Sequence, residues 1–264
     1  MALSDAQVAQ AADILAGAFK ARTTIDGLPA ACGPANAAEA VQVQIAMLER
    51  LGLSAAGYKA GFTNPPMLEK AGPDGPMAGV MFADFTVASG GVLQRADMGP
   101  GSLIEAEVSF RMGADLPARE GGYSDDEVIA AVDSAIIGIE FAVPRMNDPL
   151  GQPMVHLAAD NGAAMGFVAG PDIPDWQSRD LKTLDIELLF DGEVVSEGLP
   201  LPARCDERWS LAWIVNHFCA RGVGIKAGDY MTTGAAATPK PLGNAKDVVA
   251  RFAGVGEVRV TVEG

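Results

Sequence analysis

The chain has 264 residues, 49% of them hydrophobic and 20% charged, which excludes a disordered polyampholyte and suffices to bury a full core. With 34 acidic against 19 basic residues the net charge is −15, so a phosphate backbone or an anionic membrane would be repelled and neither a nucleic-acid nor a membrane partner is expected. Cys32, Cys205 and Cys219 form no C-x-x-C pair, no basic and apolar leader precedes Asp5, and no run approaches about 18 apolar residues; together these predict reduced thiols in a soluble, cytoplasmic protein.

Ser4-Asp5-Ala6-Gln7 has the pattern of a capping box and opens a predicted helix with Val8, Ala12, Ile14, Leu15 and Phe19 on its apolar stripe. A loop rich in Gly and Pro covers 22–34, and a second helix runs from about Asn36 to a stop at Gly52. These helices make a small N-terminal segment or lid, taken as residues 1–56. From Gly57 the texture changes to short strands punctuated by Gly and Pro, taken as a catalytic domain over 57–264. Strands are predicted at 58–63, 80–83 and 103–111, with a helical turn at 67–71 between the first two. A helix capped by Ser124 with Glu127 three residues on precedes an apolar strand over 135–143. Asp191-Gly192 marks a hairpin between 184–190 and 193–196, Asp206 caps a helix ending at Gly222, and strands at 230–233 and 258–262 close the chain. Many short strands with few helices between them predict an α+β roll rather than alternating βαβ units.

Within 103–111 the residues alternate, so Ile104, Ala106, Val108 and Phe110 share one face while Glu105 and Glu107 share the other. Two carboxylates so placed are close enough to converge on one cation, although an ordinary half-buried strand shows the same alternation. Glu140 lies in the most apolar stretch of the chain, where an unpaired ionised group costs several kcal/mol. Either Arg145, the nearest cation in sequence, folds back on it, or a metal sits there. Three carboxylates without a His or Cys cluster describe a hard-cation site suited to Mg²⁺ or Mn²⁺.

At these residues the sequence resembles the fumarylacetoacetate hydrolase superfamily, in its 2-keto-4-pentenoate hydratase and 4-oxalocrotonate decarboxylase branch. The carriers, in order, are Gly57-Tyr58-Lys59-Ala60-Gly61-Phe62-Thr63, Gly79-Val80-Met81-Phe82-Ala83-Asp84, Glu105-Ala106-Glu107 with Glu140, and Ala159-Asp160-Asn161. Leu211-Ala212-Trp213 and Lys226-Ala227-Gly228-Asp229 with Thr233-Gly234 complete the series, which runs from about residue 36 to the C-terminus. The resemblance implies a twisted mixed β-roll like the C-terminal part of fumarylacetoacetase, with a helical N-terminal part. It implies a metal on Glu105, Glu107 and Glu140, and catalytic roles for Lys59 and Asp160. Lys59 would hold a substrate carboxylate or relay a proton, and Asn161, Thr233 and Gly234 would line the substrate. Read without it, Lys59 is a snorkelling surface lysine, and the others are turn formers.

The expected activity is that of a metal-dependent hydro-lyase of aromatic catabolism, adding water to a 2-hydroxy-2,4-dienoate or 2-oxo-4-enoate. The 2-oxo acid would chelate the metal through its carboxylate and keto oxygens. Alternatives are decarboxylation of a 2-oxo-dioate, hydrolysis of an acylpyruvate, and a non-catalytic partner subunit. The two histidines bear on hydrolysis. His156 and His217 are the only ones, His217 lies on an apolar helix, and none stands before residue 156, where superfamily hydrolases carry a water-activating histidine. No G-x-S-x-G supports a serine nucleophile. Met77 and Gly162-Ala163-Ala164 stand where the branch is usually polar, implying a more apolar pocket. A symmetric homo-oligomer is expected on general grounds.

Overall fold

A computed structural model describes residues 2–72 and 75–264. The elements are α1 (Asp5–Ala21), α2 (Ala37–Leu51), β1 (Ala55–Gly61), α3 (Pro65–Ala71), β2 (Met77–Phe82), β3 (Thr86–Ala88), β4 (Gly91–Gln94), β5 (Leu103–Met112), α4 (Asp125–Ala130) and β6 (Val132–Ala142). There follow α5 (Met154–Ala159), β7 (Ala164–Asp172), β8 (Ile186–Phe190), β9 (Glu193–Glu197), α6 (Glu207–Cys219), β10 (Tyr230–Thr232), β11 (Lys240–Pro241), β12 (Asp247–Phe252) and β13 (Gly256–Glu263). This is the expected α+β class, and among the described residues no helix is long and apolar enough to cross a membrane.

The strands form two mixed sheets. The larger runs β2-β1-β10-β5-β6-β7-β3, with β11 also paired to β5; the smaller runs β4-β13-β12-β8-β9. Parallel pairs occur at β1 with β10, β3 with β7 and β4 with β13, and each joins strands distant in sequence. The long antiparallel pair β5 and β6 is the spine of the larger sheet, and β12 and β13 pack against β6 and β7. Ile137 and Val168 from one sheet and Val258 and Val260 from the other share a core from which water is excluded.

The N-terminal helices enter that same core. Ala11, Ala12, Leu15 and Phe19 of α1 are buried, and the Phe19 ring meets Phe82 edge-on at 5.5 Å between centroids. The predicted capping box is made, with the Ser4 N–H donating to Gln7 Oε1 at 3.0 Å. From α2, Gln44 donates to the Ala78 carbonyl at 2.9 Å and so ties the helix to β2.

The structure adds β3, β4, β7, β11 and β12 to the predicted strands and extends β2 back to Met77 and β6 back to Val132. β7 lacks a strand signature because it carries Gly166 and Gly170 and ends near Pro171. At Gly166 the cause is close approach: a Cβ would lie 2.0 Å from the Phe85 carbonyl oxygen. The short helix α5, capped by Pro153, is also absent from the predicted elements.

Candidate active site

Four adjacent strands carry the site. In β5 residues 105 and 107 point to one side because i and i+2 share a strand face. β6 runs antiparallel in a register that sets Glu140 opposite Glu105 and Gly138 opposite Glu107. The three carboxylates therefore meet, with one oxygen from each within 4.8 Å of the others. On the other flank of β5 lies β10, whose Thr232 Oγ1 donates to Glu140 Oε2 at 2.9 Å. Just beyond β10 the Gly234 N–H donates to Glu107 Oε2 at 2.9 Å. Glycine is required there, since φ is +116° and a Cβ would stand 2.1 Å from Thr63 Oγ1. β1 pairs in parallel with β10, placing Lys59 opposite Thr232, and Lys59 Nζ lies 3.1 Å from Glu140 Oε1.

Glu107 and Glu140 are fully buried, Lys59 is 2% exposed and Glu105 is half-buried, facing the open side. Three carboxylates against one ammonium leave a surplus of buried negative charge, which is costly unless neutralised. Burial, reinforced by Glu140, pushes Glu105 up to about 7 against the pull of Lys59. Burial and the Glu140 and Glu105 charges push Glu107 well above the usual carboxylate range, opposed by the Gly234 N–H. Burial alone would lower Lys59, but Glu140, Glu105 and Glu107 outweigh it and raise the ammonium. Glu107 Oε1 is buried without a hydrogen-bond partner, and Glu140 Oε1 faces Lys59 without an aligned hydrogen bond. A hard cation such as Mg²⁺ holds oxygens at about 2.1 Å, so that neighbouring ligands stand about 3 Å apart and opposite ones about 4.2 Å. The observed cluster, with one oxygen of each carboxylate within 4.8 Å of the others, approaches that spacing, and an all-oxygen donor set is what such an ion takes.

Several expectations are corrected. Arg145 does not fold back on Glu140; its Nε donates to Asp160 Oδ1 at 2.6 Å and its backbone N–H to Oδ2 at 2.8 Å. Asp160 is thereby fully buried and paired, away from the pocket lining, so it is not positioned to touch a substrate. Asn161 likewise accepts from the Val80 N–H at 2.8 Å and donates to the Val80 carbonyl at 2.9 Å, acting as an extra rung beside β2. The Thr233 hydroxyl donates to the Val108 carbonyl at 2.7 Å and is fully buried, which leaves none of it for a ligand. Lys59 is not a snorkelling surface residue, because its ammonium is enclosed with the carboxylates. Both histidines stand outside the pocket lining, and His217 is held between the Trp213 and Phe218 rings.

Beside the carboxylates opens a cavity of about 540 Å³, lined by Lys59, Glu105, Met77, Leu150, Leu157 and Ala163 among others. Its walls hold backbone in the left-handed region: Phe62 at φ +62°, Asp148 at +45° and Ala163 at +60°, with Asn161 at +55° next to them. Such conformations cost about 1–3 kcal/mol each and gather at sites whose surroundings over-determine them. The buried pair of Arg145 with Asp160, together with the Asn161 rung, supplies that surrounding for the 161–163 turn. Thr232, Asp148 and Leu150 were not singled out in the sequence; the carboxylate-bound hydroxyl and the cavity mouth are visible only once the strand order is known.

A mixed β-roll holding an inward carboxylate cluster beside a buried lysine is the arrangement that the resemblance to the fumarylacetoacetate hydrolase superfamily implies. No family model matches the chain. The 2-keto-4-pentenoate hydratase of Burkholderia vietnamiensis (strain G4) is 28% identical over 260 residues, covering 97% of this chain and 98% of that protein. The 4-oxalocrotonate decarboxylase of Pseudomonas sp. (strain CF600) is 28% identical over 207 residues, 78% of this chain and 77% of that one. Among solved structures, the 4-oxalocrotonate decarboxylase from Pseudomonas putida G7 complexed with magnesium and adipate superposes with a TM-score of 0.85 at 26% identity, covering 98% of each chain. Over nearly its whole length the chain is thus similar to 2-keto-4-pentenoate hydratases and 4-oxalocrotonate decarboxylases.

Proposed function

We propose that the protein is a hydratase that depends on a divalent metal, Mg²⁺ or Mn²⁺, and adds water to a 2-hydroxy-2,4-dienoate or its 2-oxo-4-enoate tautomer in the breakdown of aromatic compounds. The observation that carries this is the convergence of Glu105, Glu107 and Glu140 beside Lys59 at the inner end of a cavity. Glu105, Glu107 and Glu140 would hold the ion, which when bound supplies Lewis-acid polarisation of the 2-oxo group and anchors the adjoining carboxylate. Thr232 and the Gly234 N–H each fix one oxygen of Glu140 and Glu107, leaving the others free for that role. Lys59, whose ammonium the surrounding carboxylates favour, would orient the anionic end of the substrate and pass a proton from Nζ. The apolar wall of Met77, Leu157 and Ala163 limits the water that reaches the bound dienoate. We further propose that the protein is a cytoplasmic homo-oligomer; light scattering on the purified sample tests the oligomer and cell fractionation the location.

Loss of the dienol ultraviolet absorbance in the presence of Mg²⁺ or Mn²⁺, and its arrest by chelator, is the expected result. A complete absence of metal-dependent loss across several dienoates would overturn the assignment. Decarboxylation of a 2-oxo-dioate remains the second reading, favoured by the Pseudomonas relatives; carbon dioxide release from such substrates separates it from hydration.

A further inference from the structure

Away from the carboxylates the cavity becomes an apolar chamber, walled by Met67, Met77, Leu103, Leu150, Leu157 and Leu199. Among its described lining residues Lys59 is the one cation, and it sits at the carboxylate end. The one other charged group besides Glu105 is Asp148, an acid. Two cations near the chamber are spent elsewhere, Arg145 on Asp160 and Arg204 on the carbonyls of Leu199 and Lys182 at 2.8 and 3.0 Å, and Lys240 pairs across from Ile104 and is not among the lining residues. The chamber is also larger than a small dienoate needs. The eight non-hydrogen atoms of a five-carbon hydroxydienoate, even at the ~30 Å³ of a water molecule each, fill about 240 Å³, less than half of the 540 Å³ present.

We infer that this chamber selects 2-oxo and 2-hydroxydienoic acids carrying an apolar alkyl or aryl tail and rejects dioates, with Asp148 and the Met77 and Leu150 walls as specificity-determining residues. The inference rests on the reading above, because a 2-oxo acid anchored by Lys59 and by the ion that Glu105, Glu107 and Glu140 would hold sends its tail among these side chains. Each methylene buried there strengthens binding about fourfold. A second carboxylate would lose its water without gaining a cation, since the wall offers it only the neutral donors of Asn64 and Thr238, and would face the like charge of Asp148, weakening binding by on the order of a hundredfold or more.

Calorimetric titration of the Mg²⁺-loaded protein with unreactive 2-oxo acids tests this without relying on turnover. Affinity should rise from 2-oxobutanoate through 2-oxopentanoate to 2-oxoheptanoate, by about fourfold per methylene, and 2-oxoadipate should bind on the order of a hundredfold more weakly than 2-oxoheptanoate. Leu150→Lys changes a side chain that is 56% exposed at the cavity mouth, and Asp148→Asn keeps a residue tolerant of the left-handed region. Both should recover 2-oxoadipate binding by about tenfold or more, Leu150→Lys by adding a cation and Asp148→Asn by removing a like charge. Equal binding of 2-oxoadipate and 2-oxoheptanoate, or no gain along the monoacid series, would overturn the inference. Binding in the expected order with no dienoate hydrated would overturn the hydratase reading and leave the chamber's selectivity standing. Hydration of dienoates with dioates accepted equally would do the reverse, and failure of every 2-oxo acid to bind would remove both.

Discussion

Glu107 is held by a main-chain donor, and this separates its role in the site from its role in the fold. In Glu107→Gln the amide oxygen can still accept from the Gly234 N–H, while the charge is lost. Mg²⁺ or Mn²⁺ affinity, read by calorimetry, should fall by about a hundredfold or more. The metal-free protein should instead gain thermal stability, about 2–4 °C per kcal/mol of relieved repulsion, because burial and the neighbouring carboxylates already disfavour this charge. A second buried acid lies outside the cluster. Glu207, at the start of α6, is 3% exposed, and burial pushes it up to about 7. A carboxyl whose folded value stands above its unfolded one binds more protons when folded, so its contribution falls as pH rises from about 4.5 to about 7 and is level above that. Urea unfolding at pH 4.5 and pH 8 should therefore show the stability of Glu207→Gln gaining on the parent by up to about 3 kcal/mol. At this scale the sequence was informative where chemistry is local: alternation puts Glu105 with Glu107, and the apolar run isolates Glu140. It misled where a polar residue meets its partner through the fold, as with Asp160, which looks like a pocket acid until Arg145 is found across it.

Two connecting segments do as much for the site as the strands do. The turn after β10 must bring a backbone N–H to Glu107 while passing Thr63, and Gly234→Ala should fail at both. A Cβ there would stand 2.1 Å from Thr63 Oγ1, so metal affinity and thermal midpoint should fall together, unlike in Glu107→Gln. The second segment is the 161–163 turn that forms part of the cavity wall. Its left-handed residues are braced by the buried pair of Arg145 and Asp160, and Arg145→Ala would strand an unpaired carboxylate. Loss of about 3–5 kcal/mol in urea unfolding is expected, with metal affinity in the fraction still folded near that of the parent, since neither residue reaches the carboxylate cluster. Helices with caps were legible, as at Ser4, Ser124 and Asp206, because a cap is a local device. β7 was not, since its glycines answer to the Phe85 backbone rather than to any periodicity along the chain.

Across the whole molecule the order of strands decides what meets. Residues 59, 105, 140 and 232 come together because the sheet runs β1-β10-β5-β6, an order no pattern in the chain reveals. The α+β class and the carboxylates could be read in advance; the Lys59 contact with Glu140 could not, since it depends on β1 being brought beside β10. If the cluster holds an ion only when folded, saturating Mg²⁺ at about a hundred times its dissociation constant should add about 2.7 kcal/mol of stability. Scanning calorimetry with and without chelator should show that gain in the parent and not in Glu107→Gln. The late arrival of β10 has a further outcome during synthesis. The glutamates emerge from the ribosome well before Thr232 and Gly234, and until those follow, nothing separates β1 from β5 or steadies two of the three carboxylates. A nascent chain should thus acquire tight ion capture abruptly, near the end of translation, and a fragment stopped before residue 230 should lack it.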